Sequence, residues 1–488
     1  MTTIAEKHPD FKTFERSFFE MMCRIACEEM RQYLEWRDKS IMAERDSKQY
    51  RQVGIRETTI KTVMGEVRFK RRYYRGLDGS YVFLLDEEIG LSDNYGLVSE
   101  NLAEQIVAEC TEKSFRKAAA GICENTGQGI SSMGAWNILQ QYGMAIEQQE
   151  TRLHELEESG SVGHLGNIST PVVCEEYDDV WISMQRKKRL KKGQPVPDDR
   201  KRIGKKPMHA AIAYTGWSET VAERFSLVDK IAYASFGKAK DFAHTFEVLL
   251  QNRFDIDGVQ QRITNGDGES WIRTASEEKD TILQLDPFHR SQAVVRYVSD
   301  KDDRQLIFDA IGEKDVEQVL SVISALKTTA TEEKEIKKLD KLHGYFNSNK
   351  DSFLTWQERG LELPNAPDGI VYRNMGVMES SNCDLLTQRM KHRKGSWSEQ
   401  GANHMAKILC IRKTIGLETI FGELPQAEPA EAYAEPLSSS KAPAHDGKGY
   451  GAQWLYAQMP FEGAMKTNGR EAIRNMLRLK PISQLALR

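Results

Sequence analysis

Nothing in the 488 residues approaches the ~20 consecutive apolar positions that a membrane-spanning helix needs. The first residues, Met1-Thr2-Thr3-Ile4-Ala5-Glu6-Lys7-His8, lack the apolar centre of a secretory signal, so export by that route is not expected. Cysteine is sparse and dispersed: Cys23, Cys27, Cys110, Cys123, Cys174, Cys383 and Cys410. An odd, scattered set argues against a disulfide framework and for a reducing compartment. Cys23 and Cys27 could share a helix face, but no matching Cys/His pair follows, which favours helix packing over zinc. Net charge is also small, −4.

Length and charge distribution are more telling. The chain is too long for one compact core, so several domains are expected, and 40% hydrophobic with 29% charged residues is a globular composition. Basic residues gather in three places: Arg68, Lys70, Arg71, Arg72 and Arg75; Arg186 to Lys206, with Lys187, Lys188 and Arg189; and Arg389, Lys391, Arg393 and Lys394. Each alone is an ordinary solvated face. Together they suggest a polyanion partner.

Apolar residues at helical spacing predict an N-terminal helix within 1–50. "TTIKTVMGEVRFKRRYYR" alternates on both sides of Met64-Gly65 and predicts a basic β-hairpin within 51–95. Region 96–160 reads as helical. One helix is expected from about Ser114 to Glu124, then a glycine turn, then a second helix capped by Ser131 or Ser132 and ending near Leu139. That is a helix-turn-helix layout, followed by a polar connecting helix.

From Thr170 the texture changes. "TPVVCEEYDDVWISMQ", "KPMHAAIAYTGWSE" and "ERFSLVDKIAYASFG" read as three strands, followed by a helix, "RITNG", and the strand of "TILQLDPFH". This predicts a mixed α/β sheet over 168–299. Residues 300–365 read as a helical insertion, 366–420 as the final helical part of the core, and 421–488 as a flexible tail.

Phosphodiester chemistry can use two divalent cations ~4 Å apart, held by a few carboxylates. Asp178 inside the first strand, Asp267 in "NGDGESW" and Glu379 in "GVMESSN" meet that need. Each acid also has an ordinary reading as a turn or cap residue. The glycines around Asp267 are expected to leave room for an ion and a phosphate.

The stretches "GEVRFKRRYYR", "EYDDVWISMQ", "NGDGESWI", "LDPFHRSQAV" and "GVMESSNCDLLTQRMKHRKGSWSEQGANHMAKI" resemble, as an ordered set over about 50–415, the ISLre family of bacterial insertion-sequence transposases, relatives of the Mutator-type DDE enzymes. The resemblance implies an RNase H-like core with a helical insertion, and Asp178, Asp267 and Glu379 as a triad holding two Mg²⁺ or Mn²⁺ ions. Asp179 stands where the family shows glycine; Asp178 keeps the acid's place, with Asp179 as the alternative. "DPFH" is similar to the (Cys/Asp)-x-x-His signature of related transposases and brings Asp286 and His289 to the site. Trp271 is expected to pack.

The implied activity is cleavage at transposon ends, followed by attack of the freed 3′-hydroxyl on target DNA. Implied partners are double-stranded DNA and at least a second copy of the chain, in the cytoplasm at the nucleoid, with no membrane. The N-terminal region is expected to recognise terminal inverted repeats, so deleting 1–150 should abolish end binding. Two rivals are an inactive, domesticated DNA-binding derivative and a carboxylate-pair glycoside hydrolase.

Overall fold

The computed structural model describes residues 10–91, 98–160, 166–185, 204–277, 281–392 and 395–417. Lys187, Lys188, Arg189, Arg393 and the segment 421–488 lie outside the described residues. Two compact units divide at Gln141/Tyr142.

In the first unit, helix α1 (Phe11–Glu44) starts at Asp10, whose carboxylate accepts the Thr13 amide at 2.7 Å. Strands β1 (Arg51–Thr62) and β2 (Gly65–Arg75) form the expected hairpin, with Thr62 opposite Gly65. A short β3 (Tyr81–Val82) adds to β2, and α2 (Leu84–Glu88) follows. Leu34 and Ile41 of α1 share a core with Ile60, Val67, Phe69 and Leu85, so the hairpin is packed on one face. Helix α3 (Glu100–Glu112) packs against α4 (Phe115–Thr126), which Ser114 caps and Gly127 ends in the left-handed conformation, φ 69°.

Helix α5 runs from Ser132 to Glu158, so the expected end near Leu139 is corrected. Buried Ala135, Ile138 and Leu139 are continued by Tyr142, Ala145 and Ile146 at helical spacing, and nothing in between breaks the helix.

The second unit is built on a five-stranded mixed sheet. Its strands are β4 (Val172–Ser183), β5 (Lys205–Tyr214), β8 (Ile231–Ser235), β9 (Gln261–Gly266) and β10 (Thr281–Leu285), in the order β10-β9-β4-β5-β8. β5 runs antiparallel to its neighbours β4 and β8; β9 and β10 run parallel to β4. Three strands were expected before the first helix, and five form. The second and third stretches each break, at Gly216 (φ 144°) and Asp229 (φ 52°), releasing a two-stranded ribbon of β6 (Gly216–Val221) and β7 (Arg224–Val228).

Helices cover both faces. On one, Val173, Tyr177, Ala211 and Tyr233 pack against Phe242, Phe246 and Leu250 of α6 (Ala239–Arg253) and Ile272 of α7 (Ser270–Glu277). After α8 (Pro287–Tyr297), the insertion forms α9 (Lys301–Gly312), α10 (Val316–Thr329) and α11 (Glu333–Ser348), whose core includes Val294 of α8 and Val298 just after it. The chain returns through α12 (Met378–Asn382), a π-helical turn (Cys383–Thr387), α13 (Gln388–Met390) and α14 (Glu399–Thr414). Helix α14 lies against β8. Double coverage explains why β4 is buried at nearly every position. No described helix is long and apolar enough to cross a membrane.

Buried Lys407 of α14 reaches Glu150 at 2.6 Å and Glu147 at 3.3 Å, both on α5. Removing one partner of a buried pair strands the other. Lys407→Met should therefore lower stability by about 3 kcal/mol in urea unfolding, and adding Glu150→Gln should recover part of the loss.

Candidate active site across three parallel strands

Tyr177 of β4 is paired with Gly266 of β9, and Gly266 with Leu285 of β10. The next residue along each strand direction is an acid: Asp178, Asp267 and Asp286. Three parallel strands thus bring three carboxylates to one edge, the place where ligands bind in open α/β sheets. The Asp286 amide donates to the Gly266 carbonyl at 2.8 Å, locking β9 to β10 at this row.

Alternation along β4 separates the two neighbouring acids. Asp179 points with Tyr177 toward α6 and α7, where its Oδ1 lies 2.6 Å from His209 Nδ1; that ring contacts Phe242 and Trp271. Trp271 also meets Tyr177 edge to face, a packing position. Asp178 points the other way and accepts Asn382 Nδ2 at 2.8 Å, on the helix that carries Glu379.

Sequence reading missed the residue beneath them. Glu176, two places before Asp178 and fully buried, accepts the Tyr214 hydroxyl at 2.6 Å and Asn265 Nδ2 at 3.3 Å. It also accepts the backbone amides of Gly376, Val377 and Met378 at 3.1, 3.2 and 3.1 Å. These are amides at the start of α12, which has no side-chain cap of its own, so a strand carboxylate pins the helix whose first turn holds exposed Glu379. Gly376 sits at φ 113°, and a Cβ there would lie 3.3 Å from Asp286 Oδ2. Asn265 links the layers, donating to Asp286 Oδ2 at 2.7 Å and accepting Gln284 Nε2 at 3.0 Å. The available signal was a set of polar residues on the Asp178 face of otherwise apolar strands.

The loop after β9 is held from the insertion. Asp267 Oδ1 accepts the Glu269 amide at 2.9 Å, and the Asp267 carbonyl accepts the Tyr345 hydroxyl of α11 at 2.6 Å. The glycines do not open space for an ion. A Cβ on Gly266 would press on Ile272 at 3.0 Å; Gly268 has φ 84°, and its Cβ would meet Asn349 at 2.7 Å. Tight packing and a left-handed turn are what require them.

Charge is concentrated here. Burial, then repulsion from Asp178, pushes Asp267 up to about 6, against the pull of the Glu269 amide. Burial also raises Asp178, with Glu379 adding to it. Asp286 goes the other way: burial opposes, but hydrogen bonds from His289 and Asn265 hold it below the usual range. It also caps α8, accepting the Phe288 and His289 amides at 2.7 and 3.1 Å. His289 Nδ1 lies 3.5 Å from Asp286. Burial lowers the imidazole pKa, but Asp286, Asp178 and Asp267 together raise it above its ordinary value. Repelling carboxylate oxygens beside one another are hard donors that suit Mg²⁺ or Mn²⁺.

A pH dependence follows. Because Asp267 titrates higher in the folded chain (about 6) than its ordinary 3.8, its stabilising contribution is full below pH 3.8 and disappears as pH rises through 6. In chelator, Asp267→Asn should therefore unfold later than the parent above pH 6, by up to about 3 kcal/mol, with the gain vanishing toward pH 4. Thermal melts across that range measure it.

Three of the expected DNA contacts are corrected. Arg71 is paired with Asp86 and stacked over Phe83; Arg72 is paired with buried Asp38; Arg389 is buried with its guanidinium 5.0 Å from the Trp397 ring. Their charge is taken up inside the fold. Arg68, Lys70, Arg75 and Lys391 are exposed.

Two curated relatives, both described as UPF0236 proteins of Caldanaerobacter subterraneus subsp. tengcongensis, are each 21% identical over 367 residues. The matches cover 73% of this chain and 68% and 64% of the relatives. Among solved structures, a pre-cleavage Mos1 transpososome matches at 12% identity over 52% of this chain and 78% of that one, with a TM-score of 0.13. The Mos1 strand transfer complex matches at 11% and 0.12, over 52% and 78%. Likeness this slight carries no argument. The family model is decisive: it matches residues 5–420, and the chain belongs to UPF0236, an uncharacterised protein family.

Proposed function

We propose that this UPF0236 chain is a DNA transposase with an RNase H-like core, using Asp178, Asp267 and Glu379 as its catalytic acids. The observation that carries the reading is the convergence of Asp178 and Asp267 at one strand edge, with the Glu379 helix tethered there by Glu176 and Asn382. Strand order and the helical insertion between Asp267 and Glu379 are consistent with it. The acids would hold two Mg²⁺ or Mn²⁺ ions, which supply Lewis acidity to the oxygens of a phosphodiester. Asn382 orients Asp178, Asn265 orients Asp286, and His289 presents its imidazole to the cluster. The substrate would be double-stranded DNA at transposon ends and target sites, handled by two or more copies of the chain.

The full-length chain, incubated with Mg²⁺ and linear DNA carrying the boundaries of its own genomic copy, should cleave at those boundaries. Binding without cleavage in either Mg²⁺ or Mn²⁺ would favour an inactive derivative. For end recognition, deletion of 1–150 is a poor test, since it cuts α5 and removes Glu147 and Glu150 from Lys407. Arg68, Lys70 and Arg75 changed together to Gln should instead weaken DNA binding and flatten its log–log salt dependence by about 2–3. An unchanged slope would remove the hairpin from the interface.

A further inference from the structure

A second cluster of ligating side chains lies apart from the carboxylate site. His154 and Glu157 stand three residues apart on one face of α5, and His244 projects from α6. One ligand atom from each lies within 4.8 Å of the others. Glu157 Oε2 is 3.2 Å from His244 Nε2, and the two imidazole rings are 4.6 Å apart, centre to centre, at 33°.

Two details prepare these groups to bind an ion. His154 Nε2 lies 3.0 Å from Thr245 Oγ1, whose own proton goes to the Asp241 carbonyl at 2.9 Å. The hydroxyl can then accept a hydrogen bond from Nε2, in the tautomer that leaves the Nδ1 lone pair available. A ligating histidine held through its other nitrogen is the usual arrangement at metal sites. Burial and neighbouring His244 also hold His154 below its ordinary pKa, which favours the neutral, ligating form. His244 is half-exposed, which gives an ion a way in.

We propose that His154, Glu157 and His244 form a binding site for a borderline divalent cation of the Zn²⁺ class, pinning the last turns of α5 to α6. Two imidazoles and one carboxylate are a zinc donor set, with water completing the coordination, and they suit Mg²⁺ poorly. The site lies within the second unit and its role is to fasten helices; it does not depend on the transposase reading.

The test is Co²⁺ and Zn²⁺ binding to the full-length chain after chelator treatment, in excess Mg²⁺ to occupy the carboxylate site. One equivalent of Co²⁺ should bind with visible d–d bands and no thiolate charge-transfer band. His154→Ala and His244→Ala should each weaken binding at least about tenfold. Zn²⁺ should raise the melting temperature of the parent and not of these variants. Glu157→Gln is a second, milder variant, expected to weaken binding without removing an imidazole. Absence of binding, an intense thiolate band, or affinity unchanged in both histidine variants would overturn the proposal.

Discussion

Asp267→Asn should abolish end cleavage, lowering the rate at least about 10³-fold, while DNA affinity stays within twofold. The change keeps size and the capacity to accept the Glu269 amide, so the loop between Gly266 and Gly268 keeps its shape. What it removes is a negative oxygen from a cluster whose crowding already pushes Asp267 up to about 6. A group that binds metal through charge loses that ability when neutralised, while contacts to the DNA backbone elsewhere are untouched. Single-turnover cleavage of labelled ends, beside a filter-binding titration, separates the two. Cleavage at the parental rate would remove Asp267 from the chemistry. The same variant is predicted above to be the more stable one without metal, so lost activity cannot be attributed to unfolding.

Glu176→Gln should have the second largest effect and act through a different property. Every group that meets this carboxylate is a donor: the Tyr214 hydroxyl, Asn265 Nδ2, and the amides of Gly376, Val377 and Met378. A glutamine places an NH₂ against at least one of those donors. The start of α12 must then shift, or an amide goes unsatisfied, at a cost of about 1–3 kcal/mol. A displacement of ~1 Å at Glu379 is enough to reduce cleavage about 10²-fold. Glu176 is a positioning residue, so the signature is a lower cleavage rate and a higher Mg²⁺ requirement at unchanged DNA affinity. Tyr214→Phe removes one donor and leaves the helix tether, so it should show little of this. Equal effects in the two variants would indicate general destabilisation.

The parts of this site legible in the sequence are the local ones. An acid between two glycines at a strand end is visible without a fold, which is why Asp267 stood out; Asp286 was singled out by the family resemblance of DPFH, and the proline after it marked the helix start. The choice between Asp178 and Asp179 was not local. It depends on which face of β4 each occupies, and so on His209 across β5 and Asn382 204 residues downstream. Glu176 was hidden for the same reason: an acid in a buried strand is interpretable only once its donors are known. Charge counts misled in the same way. Arg72 reads as a solvent-facing cation until Asp38, on a helix well upstream, is placed beside it. The strand count failed where Asp229, a non-glycine residue, takes φ 52° and breaks a run whose composition says strand.

The hydroxyl of Tyr345 on the Asp267 carbonyl has a consequence for the order in which the chain is made. Synthesis proceeds from the N-terminus, and units fold as they emerge. A nascent chain extended to Asp286 already holds Asp178, Asp267 and Asp286, but not Tyr345, which fastens the Asp267 loop, Asn349, which lies against Gly268, or Glu379. The amides that engage Glu176 arrive later still, 200 to 202 positions after it. The carboxylates are therefore aligned by strand pairing before the segments that fasten the Asp267 loop and carry Glu379 have been made. A chain stopped at that point has its strand acids but not the helix that carries Glu379.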